Sequence, residues 1–255
     1  NPNNDERKVS EQQLEQLLLN KPSLCACLAN FLNSCSDPIL IQYSIVILRK
    51  ILSEKEEEED VSKVWKQLTN DVKEKVENSL MNLLRKNQDI SLGKKICDLI
   101  SLIYESVSNL QEKWEDVLRY IVEGFKAELT DNNFLLIKNS LCLLAKVFNY
   151  AHNELKEGSN VFINGFKSFF NCNNLVLKAY SSQAICEILT GVSDKKFKKE
   201  FKAFIFNCLQ TIYECLNKKD EDNMKIALFA LNDLAQLQPG LLSKSFSDIF
   251  TLMGK

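Results

Sequence analysis

The chain has 255 residues, of which 45% are hydrophobic and 26% charged, and its formal net charge is -2 at pH 7. This composition excludes a disordered chain. Only 7 glycines and 4 prolines occur, which argues against the turn-rich sheet folds on which many enzymes are built. The nucleotide-binding patterns GxGxxG and GxxxxGK[ST] and the hydrolase pattern GxSxG are absent. We therefore expect an all-helical protein that is not an enzyme and needs no cofactor.

The charge balance and hydropathy also bear on the class of partner. Lys and Arg number 32, and Asp and Glu number 34, whereas dedicated nucleic-acid binders usually show a basic excess. No run of 18 apolar residues is present, so the sequence predicts no membrane span. We expect neither nucleic acid nor a membrane as partner.

Nine cysteines are many, but their arrangement is not that of a metal site. No CxxC occurs, and the one histidine, His152, lies far from the Cys25-Cys27 pair. A zinc site needs Cys and His ligands paired at short spacings. We expect no metal, and interpret the cysteines as buried, reduced thiols of a cytosolic or nuclear protein.

Apolar residues recur at i, i+3, i+4 and i+7 along almost the whole chain, the pattern of amphipathic helices. Short connections rich in Asp and Asn alternate with longer, more variable ones, as in stacked helix hairpins. The predicted helices, in chain order, span 10–20, 22–34, 38–53, 61–86, 90–108, 112–129, 133–149, 155–171, 174–190, 195–217, 221–237 and 241–253.

A repeat accompanies the short connections: an Asp or Asn is followed five positions later by a lysine. The lysines of this repeat lie 44, 40 and 47 positions apart, the period of HEAT repeats. We interpret the polar pairs as a structural ladder that links neighbouring repeats, with contact to a partner as the alternative. The pairs are Asp89 and Lys94, Asn133 and Lys138, Asn173 and Lys178, and Asp220 and Lys225.

The predicted fold is therefore all-α: an α-α superhelix, a right-handed solenoid of about six HEAT helix pairs. We expect one array over residues 1–255, with residues 10–90 as its first part and 91–255 as further repeats. Residues 241–255 read as a first helix without its partner, so we expect a fragment of a longer protein.

Three stretches resemble the importin-β (karyopherin-β) family. Residues 37–52, DPILIQYSIVILRKIL, are similar to its early helix signature, although Ile41 stands where the family usually has Arg. Residues 61–84, with Trp65 at an aromatic position, and residues 93–98, GKKICD, resemble the segments that follow. The order of elements and the loop lengths look like the importin-5/importin-4 branch.

The resemblance implies a nuclear import receptor that shuttles between cytoplasm and nucleus. Such receptors bind Ran-GTP through second helices of their early repeats, FG nucleoporins through grooves between outer helices, and basic protein cargo further along. The candidate Ran contacts are Arg49, Lys50, Lys94 and Lys95; solvated helix ends are the alternative. A different HEAT or armadillo scaffold, such as a phosphatase subunit or a cytoskeletal adaptor, is the alternative function.

Two further groups of residues, one rich in lysine and one aromatic, each allow two interpretations. The run from Lys195 to Lys202 is interpreted as an amphipathic helix face rather than a nucleic-acid site. An aromatic group at helical spacing is interpreted as core, with a groove for FG repeats as the alternative. Its members are Phe162, Phe166, Phe169 and Phe170.

Overall fold

A computed structural model describes residues 8–10, 12–13, 16–55, 62–156 and 158–243. These residues contain helices and an isolated bridge between Lys55 and Ser62, without a β-strand. They divide into two compact units, Asn1–Lys113 and Trp114–Lys255. In the first unit the helices are α1 (Lys21–Ser34), α2 (Pro38–Leu52), α3 (Lys63–Gln67), α4 (Asn70–Lys86) and α5 (Ile90–Asn109).

In both units each helix pair consists of a first helix and a second helix that follows it in the chain. The second unit contains the remaining helices. They are α6 (Glu115–Lys126), α7 (Phe134–Lys156, after a 3-10 turn at Asp131–Asn133), α8 (Ser159–Asn171), α9 (Leu175–Gly191), α10 (Lys195–Lys202), α11 (Ile205–Asn217), α12 (Glu221–Leu237) and α13 (Pro239–Leu242).

Consecutive helices form antiparallel pairs, and like helices of neighbouring pairs pack on each other. In the first unit the first helices α1 and α4 pack together, as do the second helices α2 and α5. In the second unit the first helix α6 packs on α8, while the second helix α9 packs between α7 and α12. Each pair thus buries apolar faces that it could not bury alone, as the HEAT period predicts.

The short turns place a helix N-cap at the start of most second helices. Asp37, Asp89, Asn174 and Asp220 begin α2, α5, α9 and α12, and each side chain accepts hydrogen bonds from backbone N–H groups of its own helix. These bonds satisfy donors that the helix itself leaves without partners.

Two predicted helices are each divided in the structure. The predicted helix 61–86 is interrupted at Leu68 and Thr69, which have extended backbones. Thr69 is β-branched, which lowers its helix propensity. The predicted helix 195–217 is interrupted by a turn at Ala203 and Phe204. That turn brings the Phe204 ring 5.8 Å from the Phe170 ring, so core packing overrides helix propensity there.

A third difference concerns the predicted helix 133–149, which continues to Lys156 as α7. The extension has a kink at Ala151 (φ -118°, ψ 16°) and buries Ala151 and Leu155. His152, predicted in a loop, is exposed on this last helical segment. Among the described residues, the segment Asp131–Lys156 is long and apolar enough to cross a membrane, but 67% of its apolar window is buried, as expected for a core helix.

The predicted helices at the two ends fall partly outside the described residues. Of the predicted helix 10–20, residues 10, 12–13 and 16–18 are helical and 19–20 form a turn. Of the predicted helix 241–253, the structure describes residues 241–243, which complete α13 and its C-terminal turn.

Candidate functional site

The four predicted basic contact residues lie on two adjacent second helices of the first unit. Arg49 and Lys50 are exposed in the last turn of α2. Lys94 is exposed and Lys95 half-buried near the start of α5. Because α2 packs beside α5, the fold brings both pairs to neighbouring helices.

An acidic residue of α5 lies between the two pairs. Arg49 Nη1 is 3.9 Å from Asp98 Oδ2, and the Arg49 side chain remains 59% exposed. Asp98 follows Lys94 by four residues, so both lie on one face of α5. Further along, Lys55 Nζ donates to Glu105 Oε1 at 3.2 Å. The surface is therefore basic at Lys50 and Lys94, with Arg49 held beside a carboxylate.

An apolar stripe on α2 borders this basic group and was not identified as a surface from the sequence. Ile39, Tyr43 and Val46 are 64%, 64% and 51% exposed, and with Lys50 they follow the i, i+4, i+7, i+11 spacing of one helix face. The sequence of α2 is apolar on nearly every side, so no periodicity separates this stripe from the core. Contiguous exposed apolar surface indicates an interaction site.

The Asp and Asn side chains of the predicted ladder form hydrogen bonds mainly within their own turns. Asp89 accepts from Leu92 N at 2.6 Å, and Asp220 accepts from Asn223 N at 3.2 Å. Asn133 Nδ2 donates to the carbonyl of Glu128 at 3.0 Å. The N-cap of α9 is Asn174, so Asn173 lies one residue before the cap.

The ladder lysines occupy different environments. Lys94 is exposed, and Lys225 is exposed with Glu221 as an ion-pair partner 3.5 Å away. Lys138 is fully buried, with its Nζ 5.1 Å from the centre of the Tyr180 ring. Lys178 is buried and donates to Glu214 Oε2 at 2.6 Å. This last contact joins α9 to the first helix of the next pair, α11.

Two carboxyl groups line a small cleft between α9 and α12. Glu187 and Asp233 border a cavity of about 210 Å³, together with Thr190 and Gln236. Burial raises the pKa of Glu187, the charge of Asp233 raises this pKa further, and Lys146 opposes both effects. The two acids therefore repel each other when both are ionised.

Six of the nine cysteines are buried, as predicted, whereas Cys27 is exposed and Cys35 and Cys172 are half-buried. Burial raises the pKa of the Cys25 thiol to about 12 and, together with nearby acids, that of Cys215 to about 11. A hydrogen bond with Cys208 and burial raise the pKa of Cys186. Such thiols stay protonated near neutral pH and behave as small apolar side chains. Within the described ranges, no three His, Cys, Asp or Glu residues are placed to hold a metal ion.

The aromatic group is part of the core, as predicted. The Phe125 ring makes edge-to-face contacts with Phe162, Phe166 and Phe169 at centroid distances of 4.9, 5.0 and 5.3 Å. All four rings are buried. They therefore offer no open groove for phenylalanine side chains of FG repeats.

An open cavity lies at the turn edge of the first unit. It has a volume of about 620 Å³ and is lined by the α1–α2 turn, the α4–α5 turn and side chains such as Leu32, Ile41 and Leu83. A cavity of about 330 Å³ occupies the corresponding place in the second unit, between the turns around Thr130 and Asn173. The inter-repeat grooves thus recur along the turn edge of each unit.

Comparisons with known proteins identify the family. A family model described as "IPO5-like, TPR repeats" matches residues 88–252. No curated protein matches the sequence. The structure is similar to karyopherin Kap121p bound to the SUMO protease Ulp1p, with a TM-score of 0.74 and 19% identity over 97% of this chain and 23% of that chain.

Other crystal structures of the same karyopherin give the same result. Kap121p bound to Nup53p matches with a TM-score of 0.73 and 19% identity, over 97% of this chain and 23% of that chain. Kap121p bound to Pho4p matches with a TM-score of 0.74 and 19% identity, over 96% of this chain and 22% of that chain.

These matches confirm the predicted fold class, an all-helical HEAT array, and the resemblance to the importin-β family. The chain spans less than a quarter of the length of the karyopherin that it resembles. No described feature favours a phosphatase or cytoskeletal scaffold. The family match covers well over half of the sequence, and the chain belongs to the IPO5-like family of importin-β receptors.

Proposed function

We propose that this chain acts in a nuclear import receptor and contributes its binding surface for Ran-GTP. The observation that carries the proposal is the pairing of basic residues on adjacent second helices, α2 and α5, in a member of the IPO5-like family. The receptor would carry basic protein cargo and contact FG nucleoporins while it moves between cytoplasm and nucleus.

The surface has the two components that a protein interface needs. Arg49, Lys50 and Lys94 supply positive charge that steers an acidic partner surface. The stripe of Ile39, Tyr43 and Val46 supplies apolar area, which gains free energy when a partner removes it from water. Arg49 Nη1 lies 3.9 Å from Asp98 Oδ2 while more than half of the Arg49 side chain stays exposed, so the guanidinium is accessible to a partner.

Cargo and nucleoporin binding rest on the relatives. Kap121p has been crystallised with Ulp1p, with Pho4p and with Nup53p. This chain corresponds to less than a quarter of that karyopherin. Partners of these kinds are therefore proposals for this chain. The groove at the turn edge of the first unit, with apolar residues such as Leu32, Ile41 and Leu83 in its lining, is the open cleft that we assign to a nucleoporin peptide.

The test is direct binding to Ran loaded with a non-hydrolysable GTP analogue or with GDP. We expect binding to the GTP form alone, and a loss of at least about tenfold in affinity for the double variant Arg49→Glu/Lys94→Glu, which reverses two interfacial charges. The matched control is Lys63→Glu/Lys75→Glu, which changes the net charge equally at exposed positions of α3 and α4.

The control variant should bind Ran like the unaltered chain. Equal binding to both nucleotide forms would contradict the proposal, as would an equal loss in the two double variants. Circular dichroism of each variant establishes that the helices remain folded.

A further inference from the structure

Helix α10 carries the densest positive charge of the described residues. Its eight residues, KKFKKEFK, contain five lysines and one acid, Glu200. The chain as a whole has a net charge of -2, so general composition does not explain this concentration. The Ran proposal does not use it either, since that surface lies on α2 and α5.

The apolar side of α10 fixes the helix to the second unit. Phe197 and Phe201 are 5% and 0% exposed. The Phe197 ring stacks on Phe148 at 6.1 Å, and the Phe201 ring meets Phe166 edge-on at 6.1 Å. These contacts leave the opposite side of the helix, which carries the lysines, facing solvent.

The N-terminus of α10 is also held. Asp194 accepts hydrogen bonds from Lys196 N at 2.8 Å and Phe197 N at 3.1 Å, and its carboxylate pairs with Lys156. These bonds lower the pKa of Asp194 to about 2, the Lys156 contact being the largest cause. Asp194 is therefore ionised and engaged at neutral pH, and the lysines lie on a helix with a defined position.

Three lysines form the exposed part of the charged face. Lys195, Lys196 and Lys199 are exposed, whereas Lys198 and Lys202 are half-buried. Lys198 Nζ donates to Gln238 Oε1 at 3.3 Å. Lys195 and Lys199 are four residues apart, so their Cβ atoms lie roughly 5–6 Å from each other on one side of the helix.

The burial of both phenylalanine rings of α10 indicates which class of anionic partner the helix can bind. Single-stranded nucleic acid is bound by aromatic side chains that stack on bases, but both aromatic rings of α10 are buried and the helix has no arginine. Membrane-surface helices insert exposed apolar residues, and the apolar residues of α10 face the core. Side-chain carboxylates of an extended peptide alternate at roughly 6–7 Å, close to the lysine spacing.

We propose that the face of α10 formed by Lys195, Lys196 and Lys199 is a docking surface for an acidic peptide segment of a partner protein. The contact is electrostatic: carboxylates of the peptide pair with lysines that the fold already presents. Each exposed pair adds little alone, so binding depends on several pairs formed together and weakens as salt screens them.

The experiment measures fluorescence anisotropy of a labelled octaglutamate peptide with the full chain at low and high salt. We expect saturable binding that weakens with salt, and a loss of at least about tenfold for Lys195→Glu/Lys199→Glu. The conservative variant Lys195→Arg/Lys199→Arg should retain binding. The control Lys63→Glu/Lys75→Glu, with the same change in net charge, should bind like the unaltered chain.

Other outcomes overturn the proposal. A labelled octathymidylate or phosphatidylserine vesicles that bind more tightly than octaglutamate, and lose binding in the same variant, would assign the face to nucleic acid or membrane. An equal loss of octaglutamate binding in the control variant would show that the change in net charge alone causes the effect. Binding of Ran-GTP by Lys195→Glu/Lys199→Glu should be unchanged. The failure of this proposal can therefore be distinguished from the failure of the Ran proposal.

Discussion

At the scale of single residues, the ion pair of Lys178 and Glu214 is the clearest polar link between neighbouring helix pairs. Both side chains are largely buried, with exposed fractions of 11% and 25%. Glu214 also accepts from Gln210 Nε2 at 3.0 Å. A buried ion pair stabilises a fold only when its remaining polar atoms find partners, a condition that the contact with Gln210 helps to meet.

We expect this pair to have a larger coupling energy than the exposed pair of Lys225 and Glu221. Double-mutant cycles with alanine should give about 1–2 kcal/mol for Lys178 and Glu214, because burial reduces screening. The exposed pair should give about 0.5 kcal/mol or less. Urea unfolding monitored by circular dichroism measures both, and equal coupling energies would contradict a special role for the buried pair.

The sequence predicted where these lysines recur but not what they contact. The repeat places Lys94, Lys138, Lys178 and Lys225 at one register of successive second helices. Glu214, however, reaches Lys178 from a helix 36 positions further along the chain, and no local pattern marks it as the partner. The sequence likewise does not predict the contact of Asp98 with Arg49, because it arises from the packing of α2 against α5.

At the scale of helices, close approach of α6 and α8 organises the second unit. The Phe125 ring of α6 packs so closely on α8 that a Cβ added at Gly165 would lie 2.5 Å from Phe125 Cδ1. That ring is surrounded by three buried phenylalanines and cannot move aside without disturbing them. Gly165 therefore permits the contact between the first helices of two neighbouring pairs.

The variant Gly165→Ala should lower the free energy of unfolding by about 1–3 kcal/mol, because overpacking outweighs the better helix propensity of alanine. Gly240→Ala is the matched control: nothing lies within 4 Å of a Cβ at that position. It should be neutral or slightly stabilising. Urea unfolding checks both, and equal effects would show that the Phe125 contact does not limit the packing.

Helix boundaries were predicted where side chains cap them and missed where packing decides them. The turns before Asp37, Asp89 and Asp220 followed from the preference of Asp for N-caps. The interruption at Phe204 was not predictable from periodicity, since the apolar spacing continues through it. It arises because the Phe204 ring packs against Phe166 and Phe170, residues that precede it by more than thirty positions.

At the scale of the molecule, the repeated pairing of neighbours made the fold predictable, while the apolar part of the proposed binding surface became visible only in the structure. Each core contact described in a unit joins helices of the same or the next pair, so a sequence period of 40–47 residues suffices to indicate the array. The exposed stripe of α2 was hidden, because a helix apolar on all sides reads as fully buried.

The nine cysteines are distributed over both units and report on the whole core. Cys27 is exposed, Cys35 and Cys172 are half-buried, and the other six are buried. Thiol reagents need an accessible thiolate, which burial suppresses by raising the pKa, as at Cys25. We expect one fast, two slower and six protected thiols when the native chain reacts with a disulfide reagent at mildly alkaline pH.

The variant Cys27→Ser should remove the fast phase alone, and denaturant should release all six protected thiols. Because local openings differ in free energy across a fold, the denaturant dependence of each phase shows whether a cysteine reacts through local or global unfolding. Reaction of more than three thiols in the native chain, before denaturant is added, would contradict the tightly packed core described for the two units. Reaction times followed by absorbance and assigned by mass spectrometry give this result residue by residue.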